Sequence, residues 1–125
     1  MILKANDLYG LDEALSELAN IELEISTALK VKRNLTKVAD ELRPINEIRN
    51  DLINKHKGDK IDGDRVEIKA ESQQEFYEKY NELMNQEVDI KLDKIKISEL
   101  KDIKIKPKTL AALDVLLAEE GGKDE

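Results

Sequence analysis

His56 is the only histidine in the chain and the first residue to weigh for chemistry. An imidazole acts as a base or a metal ligand only with a partner: a carboxylate to orient it, or further donors to share the metal. His56 stands between Lys55 and Lys57 at the end of a helical pattern. The expectation there is a solvated residue favoured by the helix dipole. Asp59, Asp62 and Asp64 form the next grouping and invite a calcium-loop reading. An EF-hand loop needs glycine at its sixth position. Placing Gly63 there puts Gly58 first, Lys60 third and Lys69 twelfth, where oxygen ligands are required. A two-residue hairpin turn at Asp62-Gly63 accounts for the same residues better.

The rest of the catalytic inventory is thin. The chain has no cysteine, so it has no thiol nucleophile, thiolate site or disulfide. It has no phosphate-binding glycine loop, no Gly-x-Ser-x-Gly and no His-Glu-x-x-His. Its many carboxylates fall in no glycosidase or metal-ligand spacing. The expectation is a non-enzymatic protein with no catalytic residue, metal or cofactor. Lys30, Arg33 and Lys37 share one side of a helix, with Arg43 further along. A patch for an acidic partner is one reading; a solvated face partly paired with Glu41 and Glu47 is preferred.

Binding chemistry is better represented. From Ser26 to Lys57, Ala28, Val31, Leu35, Val38, Leu42, Ile45 and Leu52 recur at three-four spacing, and only Arg49 breaks the stripe. A helix over these residues, about 48 Å long at 1.5 Å per residue, outruns a compact domain of this size. The half before Pro44 is therefore expected to pack internally. The half after it is expected to project and join a partner or a second copy. Ile45, Ile48, Arg49, Leu52 and Ile53 are the interface candidates, with Tyr77 as an exposed aromatic on a neighbouring helix.

The elements that must position these residues follow from the pattern. Ile2-Leu3 reads as a short strand, Asn6 to Gly10 as a turn, and Leu11 to Ala19 as a helix. Ile21 to Ile25 alternates strictly, which fits a strand or the first turns of the long helix; the extended form is preferred. Pro44 either kinks the long helix or splits it, and the unbroken phase of the stripe favours a kink. Gly58 would cap the helix end. The hairpin around Asp62-Gly63 comes next. Ser72 to Glu75 then fits a capping box opening a helix to Asn85, with Phe76, Tyr80, Leu83 and Met84 inward. Glu87 to Lys106 alternates like an antiparallel sheet with one wet face, interrupted by a helical turn at Ser98 to Asp102. Pro107 precedes a last helix, Thr109 to Glu120, with Leu110, Leu113, Leu116 and Leu117 inward. This predicts a single α+β domain over residues 1–120, a long kinked amphipathic helix packed with shorter helices and a small antiparallel sheet. Residues 121–125 are expected to fray.

Composition bounds the partners. Hydrophobic residues make up 40% and charged residues 39%, enough to fold but not to build a thick core. The net charge is −7, which disfavours phosphate contacts with nucleic acid and binding to anionic membranes. No apolar run approaches the roughly 20 residues that span a bilayer, and the N-terminus turns polar too early for a signal peptide. A cytoplasmic protein is expected.

Three stretches carry a resemblance: Leu42-Arg43-Pro44-Ile45-Asn46-Glu47-Ile48-Arg49-Asn50-Asp51-Leu52, then Glu75-Phe76-Tyr77-Glu78-Lys79-Tyr80-Asn81-Glu82-Leu83, and the ending from Ile95 to Leu117. With them the chain resembles small proteins of unknown function encoded by phages and prophages of Gram-positive bacteria. The resemblance implies a phage setting, hence a host bacterial cytoplasm, and supplies no catalytic residue. The expected function is a protein-binding module that modulates or inhibits a host or phage protein. The alternatives are a virion structural or assembly accessory protein and an acidic mimic of DNA. A homodimer through the second half of the helix is the further expectation.

Overall fold

The structure, a computed structural model, describes residues 1–62, 65–68 and 70–118, with side chains described outside 57–69. Its centre is α1, Ala5–Ala19. Ala5, Leu8, Leu11, Ala14, Leu15 and Leu18 fall at helical spacing and are all buried. Asp7 in the first turn accepts the Lys4 backbone N–H at 3.1 Å, which satisfies a helix-end donor. The helix therefore begins well before Leu11, and the residues expected as a turn form its first turns. Gly10 sits within it with nothing close to where a Cβ would lie. Burial of Leu8 on one side and Leu11 on the other outweighs the weak helix preference of the glycine.

Ile21 to Glu24 form neither a strand nor helix but an irregular link. Ile21 and Leu23 turn inward against the core, and Glu22 and Glu24 face water. That inside-outside pattern is the one a strand would show, but among the described residues no strand pairs with it. α2 follows as one continuous helix, Ile25–His56, with Pro44 inside it. The missing Pro44 N–H falls on the exposed side, where the carbonyl left without its donor can bond to water. The helix ends at His56, and Gly58 lies in strand β2 rather than capping it.

Strands β2, Lys57–Asp62, and β3, Arg65–Ile68, pair antiparallel with Asp62 opposite Arg65. Gly63, half of the expected turn, lies outside the described residues. Helix α3 spans Gln73–Met84. Its capping box does not form: Ser72 is in a helical conformation within a 3₁₀ turn and makes no side-chain cap bond. Phe76, Leu83 and Met84 are buried and Tyr80 half-buried, as the spacing predicts.

The alternating stretch from Glu87 forms less sheet than its pattern suggests. β4, Glu87–Asp89, pairs antiparallel with β1, Ile2–Lys4, and Leu3 opposes Val88. β5, Ile95–Lys96, is followed by a 3₁₀ turn, Ile97–Leu100, close to the helical turn expected there. The last helix, α4, spans Pro107–Leu113 with proline in its first turn. It is shorter than expected, because a 3₁₀ turn at Asp114–Leu116 leads into β6, Leu117–Ala118, which pairs parallel with β5. The expected fraying tail lies outside the described residues. The architecture is α+β: a long helix packed with shorter helices, and small two-stranded sheets, of which β1–β4 and β2–β3 are antiparallel and β5–β6 is parallel.

The core is aliphatic. Leu8, Leu11, Leu15 and Leu18 of α1 meet Val31, Val38, Leu42 and Ile45 of α2, Leu83 and Met84 of α3, and Leu113 and Leu116 near the end. Among the described residues no helix is long and apolar enough to cross a membrane.

Candidate functional site

The basic side of α2 is already occupied from within the chain. Lys30 Nζ donates to both Glu99 carboxylate oxygens at 3.0 Å. Arg33 Nε donates to Asp93 Oδ2 at 3.0 Å, and Lys37 Nζ to the Lys91 carbonyl at 2.9 Å. Asn34, one turn from Lys30 and Lys37, is completely buried at 0% exposure. Its Nδ2 donates to the Asp93 carbonyl at 2.9 Å and its Oδ1 accepts the Asp93 N–H at 2.8 Å. The amide thus stands in for a neighbouring strand and completes the backbone of an irregular segment. Among the described residues Lys30, Arg33 and Lys37 do not pair with Glu41 or Glu47. They tether residues 91–99 to the helix.

Burial raises the Glu99 carboxyl pKa, but the Lys96 backbone N–H and the Lys30 ammonium outweigh it and hold the group below its ordinary value. The Lys96 N–H bond to Glu99 Oε2 is 2.8 Å and opens the 3₁₀ turn that follows. With its start fixed in this way, the turn places Ile97 outward, 54% exposed, and Leu100 inward. A hydrogen-bonded turn comes next, with Ile103 N–H donating to Leu100 O at 3.1 Å. Asp102 takes the left-handed conformation in it, at φ 66°. The chain then runs without regular structure from Ile103 to Lys106. Ile103 and Ile105 lie half-buried, and Lys104 and Lys106 point to water. Lys106 precedes proline and is extended, at φ −65° and ψ 142°.

These elements enclose a groove of about 730 Å³ lined by Ile97, Leu100, Ile103, Ile105, Leu110 and Leu117, with Ser98 and Lys101 at its edge. Leu110 is 44% exposed, because α4 turns it toward the groove and not into the core where the spacing predicted it. Lys101 stands at the edge of the groove, and exposed Lys104 lies between the lining residues Ile103 and Ile105, whereas Lys106 and Lys108 line a separate hollow with Glu13 and Glu17 of α1. Among the described residues none of these four lysines forms an ion pair.

The interface residues expected from the sequence divide: Ile45 is buried, Arg49, Leu52 and Ile53 are half-buried, and Ile48 and Tyr77 are exposed. Ile45 is in the core at 8% exposure, so it does not project. Arg49 is half-buried, with its guanidinium 5.5 Å from the centre of the Tyr9 ring and its Nε without a partner among the described residues. The Tyr9 hydroxyl donates to Asn46. Burial raises the Tyr9 pKa against the pull of Arg49. Leu52 and Ile53 are half-buried. Ile48 is 51% exposed and, with Leu52, Leu83 and Gln86, lines a shallow depression of about 290 Å³ between α2 and α3. Tyr77 is exposed on α3, edge-on to Phe76. The second half of α2 thus meets α1 through Tyr9 and is flanked by α3, both internal partners.

His56 is also corrected: it is 3% exposed, packed edge-on against Phe76 at 6.0 Å, with Nε2 unpartnered among the described residues. Among the described residues no three His, Cys, Asp or Glu side chains come together as a metal cluster. The alternation of its isoleucines fits a sheet, so local pattern does not reveal the groove. The signal visible in the sequence is the run of lysines, from Lys94 to Lys108, in an otherwise acidic chain.

No protein-family model matches the chain, and no curated protein or solved structure matches it either.

Proposed function

We propose that the chain is a non-enzymatic protein-binding module, and that it engages its partner through the groove between the 3₁₀ turn Ile97–Leu100, the extended residues 103–106 and α4. The observation that carries this reading is the exposure of Ile97 and Leu110 in one concave apolar surface. Apolar side chains are not held in water at a concave site without cost, and such patches mark binding grooves. This revises the location expected from the stripe on α2 and keeps the function. The phage setting implied by the resemblance belongs to the same proposal, with a host or phage protein as the partner. The DNA-mimic alternative asks for an unbroken acidic face. On α2 the acids are interleaved with Lys30, Arg33, Lys37 and Arg43, and Lys101 and Lys104 stand beside the groove, which weighs against it.

Affinity capture from a bacterial lysate, run in parallel with the native chain and with Ile97→Asp/Leu110→Asp, tests the reading. Both side chains are exposed, so the variant should keep its circular dichroism and melting temperature. The expected result is a stoichiometric protein retained by the native chain and lost from the variant. A partner held equally by both would move the binding surface elsewhere. No stoichiometric partner in host or infected lysate would overturn the function.

A further inference from the structure

We infer that the groove takes an extended segment of another protein in which acidic and apolar residues alternate. The inference rests on the protein-binding reading above and adds the chemistry of the partner. Shape comes first. The groove wall from Ile103 to Lys106 has no regular structure, but its side chains alternate between half-buried and exposed as in an extended chain, and Lys106 is extended at φ −65° and ψ 142°. Among the described residues, the backbone N–H groups of Lys104, Ile105 and Lys106 make no hydrogen bond. An extended backbone with open donors beside an apolar groove suits strand addition, in which main-chain bonds supply affinity and alternate side chains supply specificity.

Charge selects the sequence of that strand. In an added strand, residues opposite Ile103 and Ile105 face the groove and must be apolar. Residues opposite Lys104 and Lys106 lie on the outer face, where opposite charges across strands are favourable and like charges are not. Lys101, at the edge of the groove, adds to the charge of Lys104. Among the described residues of the adjoining turn, Glu99 is held by Lys30, and neither Lys101 nor Lys104 forms an ion pair. Residues 119–125 of the chain, Glu-Glu-Gly-Gly-Lys-Asp-Glu, carry no apolar side chain that could fill the groove. An anionic membrane or a nucleic acid would answer the lysines. The concave shape and the overall charge of −7 favour a peptide over either.

The test is methyl-detected NMR of the full chain titrated with a synthetic peptide alternating glutamate and isoleucine. Its controls are the same peptide with lysine or glutamine for glutamate, phosphatidylglycerol vesicles and a DNA duplex. The expected result is saturable shifts at the Ile97, Ile105, Leu110 and Leu117 methyls with the acidic peptide, and at least tenfold weaker binding of the lysine form. Lys104→Glu/Lys106→Glu should weaken the acidic peptide at least tenfold. It should also bring the lysine form up to comparable affinity, a gain that a misfolded variant would not show. Equal binding of acidic, neutral and basic peptides at these methyls would overturn the inference while leaving a protein-binding groove. Shifts caused by concentrating the chain alone would make a second copy the occupant, and shifts caused by vesicles or DNA in preference to peptide would change the partner class; each overturns the inference. If no probe shifts these methyls, the inference is overturned, and the capture experiment decides the broader function separately.

Discussion

Asn34 and Glu99 each do work that their residue type alone does not announce. Asparagine is a mediocre helix former, and in the middle of α2 it is retained by the two backbone bonds it makes to Asp93. Asn34→Ala would leave an N–H and a carbonyl without partners, each costing about 1–3 kcal/mol when buried. Asp93 is only half-buried, so water recovers part of this. The expected loss is about 2–4 kcal/mol, read as a lower denaturant midpoint with an unchanged slope. Glu99 predicts a pH dependence. Its carboxyl is held below the ordinary value of 4.5 in the folded chain. The unfolded state therefore binds the proton more readily, and stability from this group is complete above 4.5 and is lost as pH falls through the lower folded value. Glu99→Gln should be less stable than the native chain at pH 7. That difference should shrink as pH is lowered below 4.5. A gap that stayed constant between pH 7 and pH 3 would show that the Lys30 pairing contributes nothing to folding.

Helices were legible in the sequence and sheet edges were not, for a physical reason. The apolar periods of α2 and α3 are long, and a period of 3.6 repeated over many turns has few alternatives. The expected helices, Ser26 to Lys57 and Ser72 to Asn85, end within a residue of those observed. Ile21–Ile25 and Ile103–Lys106 both alternate, but alternation reports only that one side faces the core. Whether a strand forms depends on a neighbour elsewhere in the chain. The groove was missed for the same reason, since its lining comes from segments that local pattern cannot place together. Pro44 shows tertiary packing overriding propensity. Leu42 and Ile45 on either side of it are buried, and that burial holds the helix through a residue costing about 3 kcal/mol in a helix interior. Pro44→Ala restores the hydrogen bond while loosening the unfolded chain, and should stabilise the protein by about 1–2 kcal/mol. Loss of stability would mean that the proline shapes the path of α2 toward α3. The projecting-helix expectation also becomes a contrast between two positions. Ile45→Asp places a charge in the core and should cost about 3 kcal/mol or more. Ile48→Asp, on the exposed side of the same helix, should stay within about 0.5 kcal/mol.

At the scale of the whole molecule, α1 is the common wall. It packs against α2, α3, α4 and β1, and Leu8, Leu11, Leu15 and Leu18 are all essentially inaccessible. The contacts that close around it join distant parts of the chain. β1 pairs with β4, Ile90 N–H donates to the Met1 carbonyl at 2.9 Å, and Thr109 donates its hydroxyl to Glu17. None of α2, α3, α4 and β1 can leave without exposing a face of α1, so the helices around it should unfold as one cooperative unit. The outlying test is the cluster of His56, Phe76 and Tyr80, which packs ring to ring where α2 ends beside α3. If it belongs to the same unit, far-ultraviolet circular dichroism, which reports helix, and tyrosine absorbance in a Tyr9→Phe background, which reports Tyr77 and Tyr80 beside Phe76, should give superimposable transitions. Leu15→Ala probes the same coupling from the centre. Truncating a fully buried leucine typically costs about 3–5 kcal/mol, the methyl groups lost plus the cavity left behind. The expected result is that both signals shift to lower denaturant together by that amount. If the tyrosine transition stays in place while the helical signal shifts, the aromatic end folds independently of α1, and two cooperative units must replace one.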